Sequence, residues 1–237
     1  MNRFPIVILA GGLATRLRPL TESIPKSLIS IHREPFIAHQ LRLLRDHGIR
    51  EVVICAGFLG EQIVDFVGNG KQFALSIQYS FDGETLLGTG GAIKKALPLL
   101  RDHFFVLYGD SYLMCDYFAA QKSFMQSQKK ALMTVFRNAS AWDKSNVLFE
   151  NNNILKYDKI NRTKDMHYID YGLGIFHKSA FDCISENTDY DLATLYQDLL
   201  KQQQLAAYEV KERFYEIGSM IGIQELEDLL CNLSSNT

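Results

Sequence analysis

Long apolar runs are missing from this chain: none exceeds five residues, Ile6–Ala10 being as long as any, and nothing is built to span a bilayer. Basic residues show no excess, with 25 Lys+Arg against 27 Asp+Glu, which argues against a broad cationic face that would grip nucleic acid. Cysteine is scarce. Cys55, Cys115, Cys183 and Cys231 lie tens of residues apart with no Cys-x-x-Cys pair, and the six histidines show no His-x-x-x-His spacing, so no zinc site can be assembled. The amino terminus passes through one arginine into a short apolar run and then glycines, without the long apolar segment and cleavage site of a secretory signal. A cytoplasmic protein with no membrane or nucleic-acid partner is the expectation, and a homo-oligomer is left open.

What is present is ordinary globular composition, 47% apolar, arranged with a rhythm. Strand-like runs at Phe4–Ala10, Glu51–Ala56, Leu75–Ser80 and Phe104–Tyr108 alternate with amphipathic stretches at Pro35–His47, Gly60–Val67 and Gly90–Leu97, the pattern of βα units on a parallel sheet. After Asp110 the rhythm changes. A helix at Tyr117–Gln126 precedes strands at Ala131–Phe136, Asn146–Glu150, Ile154–Tyr157 and Tyr168–Phe176 with little helix between them, which predicts antiparallel additions and a mixed sheet. Helices at Leu192–Gln203 and Gln224–Cys231 flank a last strand at Ala206–Val210. No Pro/Gly/Ser-rich linker divides the chain, so one α/β domain over residues 1–237 is expected.

The strongest local signal is Leu9-Ala10-Gly11-Gly12-Leu13-Ala14-Thr15-Arg16-Leu17-Arg18-Pro19-Leu20-Thr21, followed by Pro25-Lys26. A strand running into paired glycines brings backbone close to phosphates, because glycine lacks the Cβ that blocks approach, and Arg16, Arg18 and Lys26 supply neutralising charge. It is not a Walker A loop, since no Gly-Lys-Ser/Thr follows a four-residue spacer. Further on, Asp110 follows the strand Phe104–Tyr108 at its carboxyl end, where ligands bind on open α/β sheets and where a carboxylate must be solvated, paired or bound to a cation.

The glycine run with its Thr, Arg, Pro and Lys spacing resembles the signature of sugar-1-phosphate nucleotidyltransferases, and the resemblance runs from Phe4 to about Gly222. It implies a Rossmann-like three-layer αβα sandwich with a mixed, mainly parallel central sheet, residues 1–115 holding nucleotide and 116–237 holding sugar phosphate. The implied nucleotide contacts are Leu9, Ala10, Gly11, Gly12, Thr15, Arg16, Glu84, Gly88 and Thr89; Thr89 also suits the N-cap of the following helix. Arg16, Lys26 and Asp110 are the implied catalytic groups. Asp110 is the implied Mg²⁺ ligand with Glu216 as its partner, where the family usually has Asp. Lys156-Tyr157-Asp158-Lys159 resembles the family's Glu-Lys segment, with Lys159 reaching the sugar phosphate and Asp158 the sugar hydroxyls. Asp170, Tyr171 and Gly172 stand where Asn-Ala-Gly is common and Asn146 where glycine is common; all four belong to the implied sugar site.

The resemblance therefore implies transfer of a nucleoside monophosphate from a nucleoside triphosphate to a sugar 1-phosphate, releasing pyrophosphate. Its short form is most similar to bacterial heptose- or mannose-1-phosphate guanylyltransferases, which points to GTP and cell-surface polysaccharide synthesis, with UTP or CTP as alternatives. A glycosyltransferase would carry Asp-x-Asp where this chain has Gly109-Asp110-Ser111, and a non-catalytic nucleotide-sugar sensor is the other rival.

Overall fold

Residues 3–234 are described in a computed structural model of the chain. Nine strands form the central sheet. In chain order the strands and helices are β1 (Ile6–Leu9), β2 (Ser30–Ile31), β3 (Glu34–Pro35), α1 (Phe36–Asp46), β4 (Glu51–Ala56), α2 (Gly60–Val67), β5 (Ser76–Phe81), α3 (Gly88–Ala96), β6 (His103–Tyr108) and β7 (Ser111–Leu113). There follow α4 (Tyr117–Ser127), β8 (Ala131–Arg137), β9 (Val147–Glu150), β10 (Asn153–Tyr157), β11 (Tyr168–His177), α5 (Leu192–Lys201), β12 (Leu205–Val210), β13 (Phe214–Glu216) and α6 (Met220–Ser234).

Strands β5, β4, β1 and β6 lie side by side and parallel, as the βα rhythm requires. β11 then joins β6 antiparallel and carries β8 on its other edge, with the β9–β10 hairpin beside its first residue, so the sheet is mixed. β12 closes that edge parallel to β8. The alternation of β1 explains the layers: Ile6 and Ile8 face one side, with Leu41 of α1, Ile63 of α2 and Phe124 of α4. Val7 faces the other, with Ile93 of α3 and Leu195 of α5. β1, β4 and β6 are apolar on both faces because helices cover both, which is the expected α/β sandwich.

The sequence reading passes over β7 and β13. They pair antiparallel, Glu216 opposite Ser111, and with α6 and the β2–β3 hairpin they enclose a third apolar cluster around Leu17, Phe36, Tyr112, Ile217 and Leu226. Two three-residue strands a hundred residues apart leave no periodic signal, yet their pairing brings the late acidic residue to the end of β6.

Candidate active site

Strand order reverses at β1: the chain builds outward through β4 and β5, then returns to place β6 on β1's other side. In open α/β sheets the crevice beyond the carboxyl ends at such a point is where ligands bind. Here it holds a cavity of about 230 Å³ that runs across the strand ends, from Asp110 after β6, past Leu9–Gly12 after β1 and Cys55 on β4, to Asp82 after β5. Gly109 lets β6 end there, since a Cβ at that position would run into the Leu9 carbonyl oxygen.

The glycine loop is built to receive an anion. Ala10 N–H donates to Cys55 O at 2.8 Å and Leu17 N–H to Ala14 O at 3.1 Å, but among the described residues no backbone N–H from Gly11 to Arg16 finds an acceptor. A run of unpaired N–H groups at the edge of a cavity is a concentrated patch of partial positive charge. Lys26 Nζ reaches into the same end and pairs with Asp110 Oδ2 at 2.9 Å.

The Asp110 backbone carbonyl accepts from Ile217 N–H at 2.9 Å, which holds Glu216 beside it. Glu216 Oε2 accepts from Gly218 N–H at 2.6 Å and Oε1 from Ser219 Oγ at 3.1 Å. Burial pushes the Glu216 carboxyl above its ordinary range and the neighbouring Asp110 charge pushes it further; Lys26 opposes both. Arg16 lies close by: a Cβ on Gly218 would overlap Glu216 Oε2 while sitting 3.3 Å from Arg16 Nη2. Arg16 and Thr15 are exposed and do not line the cavity; Arg16 sits beside Glu216.

The far end of the cavity departs from the sequence expectation in two places. Glu84 is exposed and outside the lining; the carboxylate that lines it is Asp82, 9% exposed, with Oδ2 accepting from Leu87 N–H at 3.3 Å. Burial pushes the Asp82 carboxyl above its usual range. Gly88 and Thr89 do line the cavity, but Thr89 is not the N-cap of α3. The helix starts two residues earlier, at Gly88, its Gly90 and Gly91 N–H groups are capped by the Tyr190 carbonyl, and the Thr89 hydroxyl instead accepts from Leu192 N–H at 2.8 Å and donates to Asp191.

The second half adds a polar cluster. Lys159 Nζ lies 3.2 Å from Tyr108 OH, 5.0 Å from the centre of the Tyr108 ring and 3.9 Å from Asp170 Oδ2. Asp170, with a side chain 4% exposed, accepts from Tyr157 OH at 3.2 Å and Gly172 N–H at 3.1 Å. Its oxygens are therefore used by the protein, and Lys159 is the cation that faces it. Burial first, and the Asp170 charge second, raise the hydroxyl pKa of Tyr108, Tyr157 and Tyr196, so all three stay neutral donors. Asn146 is a bracket: its side chain accepts from Asp170 N–H at 2.9 Å and its carbonyl from Asp158 N–H at 3.0 Å. Asp158 turns back on its own loop, accepting from Ile160 and Asn161 N–H, which holds its carboxyl below the usual range. Gly172, at φ +100° in the irregular stretch of β11, passes 3.3 Å from Ser111 Oγ as measured from a Cβ it does not have. Tyr171 is a correction: alternation along β11 sends its ring to the opposite face, edge-on to Phe214 in the core.

Asp110 and Glu216 make up the candidate metal centre. Among the described residues no group of three or more His, Cys, Asp or Glu comes together. Two neighbouring carboxylates, Glu216 held above its ordinary range by burial and by the Asp110 charge, nevertheless fit Mg²⁺, which takes one or two carboxylates and fills its shell with phosphate oxygens and water.

Comparison with known proteins follows this geometry. The profile of the Nucleotidyl transferase family matches residues 6–219. The UTP–glucose-1-phosphate uridylyltransferase of Synechocystis is 30% identical over 204 residues; this chain spans about half of its length, 52%, with 78% of the chain aligned. The N-acetylmuramate alpha-1-phosphate uridylyltransferase of Neisseria meningitidis is 28% identical, with 94% of this chain and 96% of that protein covered. The D-glycero-alpha-D-manno-heptose 1-phosphate guanylyltransferase of Aneurinibacillus thermoaerophilus is also 28% identical, covering 83% and 86%. In three dimensions the crystal structure of HddC from Yersinia pseudotuberculosis, complexed with GMP-PN, superposes with a TM-score of 0.79 at 23% identity, over 96% of this chain and 99% of that one.

Proposed function

Because the chain belongs to the nucleotidyl transferase family, we propose that it transfers GMP from GTP to a sugar 1-phosphate, a heptose or mannose derivative, releasing pyrophosphate and giving a nucleotide sugar for cell-surface polysaccharide synthesis. The observation that carries the reading is the cavity with unlike ends: free N–H groups, Lys26 and Asp110 at one, and the buried Asp82 carboxylate at the other.

The chemistry asks little proton transfer of the protein. A phosphate monoester loses its second proton near pH 6, so the anomeric phosphate is already a nucleophile at neutral pH. One of its oxygens forms a bond to the α-phosphorus, the bond from that phosphorus to the α–β bridging oxygen breaks, and the electron pair leaves with pyrophosphate. Positioning and charge neutralisation are what remain to be supplied. The loop Gly11–Arg16 and Lys26 cradle the triphosphate, and Arg16 meets it beside Glu216. Lys159, steadied by Tyr108 and Asp170, turns its ammonium to the sugar phosphate. Asp110 and Glu216 would hold Mg²⁺, which when bound offsets charge on the reacting phosphates.

Asp82 supports guanine as the base. Guanine presents two adjacent donors, N1–H and the N2 amino group, which a carboxylate accepts together; uracil presents one N–H between two carbonyls, which repel a carboxylate. The two uridylyltransferases among the similar proteins keep UTP as the second reading. Pyrophosphate release measured for four triphosphates against hexose and heptose 1-phosphates tests both. Turnover with GTP is expected; turnover with UTP alone would overturn the base, and no product with any pair would favour a sensor.

A further inference from the structure

Two buried side-chain atoms among the described residues have no hydrogen-bond partner, Ser27 Oγ and Gln40 Oε1. Both lie under the Asp110 corner. Gln40 Nε2 donates to Ser111 O at 2.8 Å and Tyr108 O at 3.3 Å, stapling the turn between β6 and β7. Ser27, 3% exposed, follows Lys26 directly and lines the cavity at the end where the loop's free N–H groups and the Lys26 ammonium collect. A buried hydroxyl without a partner is an unmet demand for a hydrogen bond, and one that faces a cavity can be met by what the cavity binds. The loop's N–H groups and the Lys26 ammonium stand at this end, with the Asp110 carboxylate already paired to that ammonium, so the donors left to satisfy call for an oxyanion.

Resting on the function proposed above, we infer that Ser27 Oγ–H donates to a non-bridging oxygen of the outer two phosphates of the triphosphate and keeps that bond to the leaving pyrophosphate. In-line displacement puts the attacking oxygen and the leaving group on opposite sides of the α-phosphorus. Lys159 and the tyrosines that steady it belong to the sheet face packed by α3 and α5. The turn that carries Lys26 and Ser27 instead leads into Ile29, which packs with Leu17 and Phe36 at the start of α1, on the side of the glycine loop and α6. A sugar phosphate arriving from the Lys159 face expels pyrophosphate toward Lys26, Ser27 and Arg16.

Calorimetric titration of the full chain with pyrophosphate and, separately, with GMP, both in the presence of Mg²⁺, tests the assignment. Ser27→Ala should bind pyrophosphate about tenfold more weakly, as expected for a hydrogen bond to a charged acceptor, and GMP as the wild type does. Ser27→Cys keeps the side chain's shape and gives up the strong donor, so it should lose pyrophosphate likewise. Equal pyrophosphate affinity in Ser27→Ala and wild type, a loss shared by GMP, or retention in Ser27→Cys alone would each overturn the inference. Wild-type turnover is read separately: a chain that binds pyrophosphate but converts no triphosphate speaks against the function proposed, while the Ser27 comparison still decides this residue's role.

Discussion

Asp82→Asn is the substitution that most directly probes the base end of the cavity. The wild-type carboxylate offers two acceptor oxygens to guanine's N1–H and N2 amino group, and hydrogen bonds to a charged partner are worth about 1.5–3 kcal/mol each. Asparagine replaces one acceptor by an N–H₂ donor that faces a guanine donor, and it turns the surviving bond into a neutral one. The combined loss is about 3 kcal/mol, or roughly 150-fold in kcat/KM for GTP at about 1.36 kcal/mol per decade. The same amide matches uracil, accepting from N3–H and donating to a carbonyl, so the GTP-to-UTP ratio should fall by at least about a hundredfold. Unfolding does not explain such a loss. Burial raises the Asp82 pKa, so the stability this group contributes is full below the ordinary carboxylate pKa and lost as pH rises through the folded value. The amide cannot ionise and so escapes that cost of burial, and the variant should melt at the same temperature or higher. Steady-state pyrophosphate release with both nucleotides, beside a thermal melt, is the assay; an unchanged GTP-to-UTP ratio in a folded variant would refute the reasoning.

Asp110→Ala should lower pyrophosphate release by at least about a hundredfold, since even outer-sphere partners of a metal cost up to that much, and the melting temperature should hold; wild-type turnover would remove Asp110 from the metal centre. For Lys159→Met, KM for the sugar 1-phosphate should rise about tenfold or more while KM for GTP stays within about twofold, and an equal rise in both would place Lys159 elsewhere. Glu216 carries a pH signature. Its folded pKa is raised, first by burial and then by Asp110, so its contribution to stability is full below the ordinary carboxylate value and disappears as pH rises through the folded one. Glu216→Gln should therefore gain stability relative to wild type between acidic and neutral pH without Mg²⁺. A difference in melting temperature that stays flat over that range would show Glu216 to be no more costly than a surface acid.

Much of the fold was legible because both faces of the sheet are covered: β1, β4 and β6 had to be continuous apolar runs, and the helices between them had to be amphipathic. Asp110 was legible for a related reason, as a carboxylate at the end of such a run. Asp82 obeys the same rule at the end of β5, but the eye is drawn to Glu84, two residues on, by the spacing of the Leu-Gly-Thr-Gly-Gly stretch that follows. Alternation settles Tyr171 only once the bulge in β11 is known, because the irregular register between Asp170 and Gly174 decides which side chain faces the sugar half. Thr89 has the chemistry of a helix cap, yet the Tyr190 carbonyl, a hundred residues away, had already taken the helix N–H groups.

On the function proposed, Tyr108 explains why neither half of the chain suffices for the chemistry. Its backbone carbonyl accepts from Gln40 beneath the Asp110 corner, its ring lines the nucleotide cavity, and its hydroxyl touches the Lys159 ammonium. The groups assigned to the nucleotide come from the ends of the parallel strands, and Glu216 joins Asp110 through the β7–β13 pairing. The groups assigned to the sugar phosphate come from β11 and the loop after β10, and they meet Tyr108 at the cavity because β11 lies antiparallel on β6, with Leu173 opposite Leu107. That register sets the distance between Asp170 and Tyr108, and so the place of Lys159. On the function proposed, a substitution that shifts β11 along β6 should leave triphosphate binding intact and separate the two phosphates that must meet.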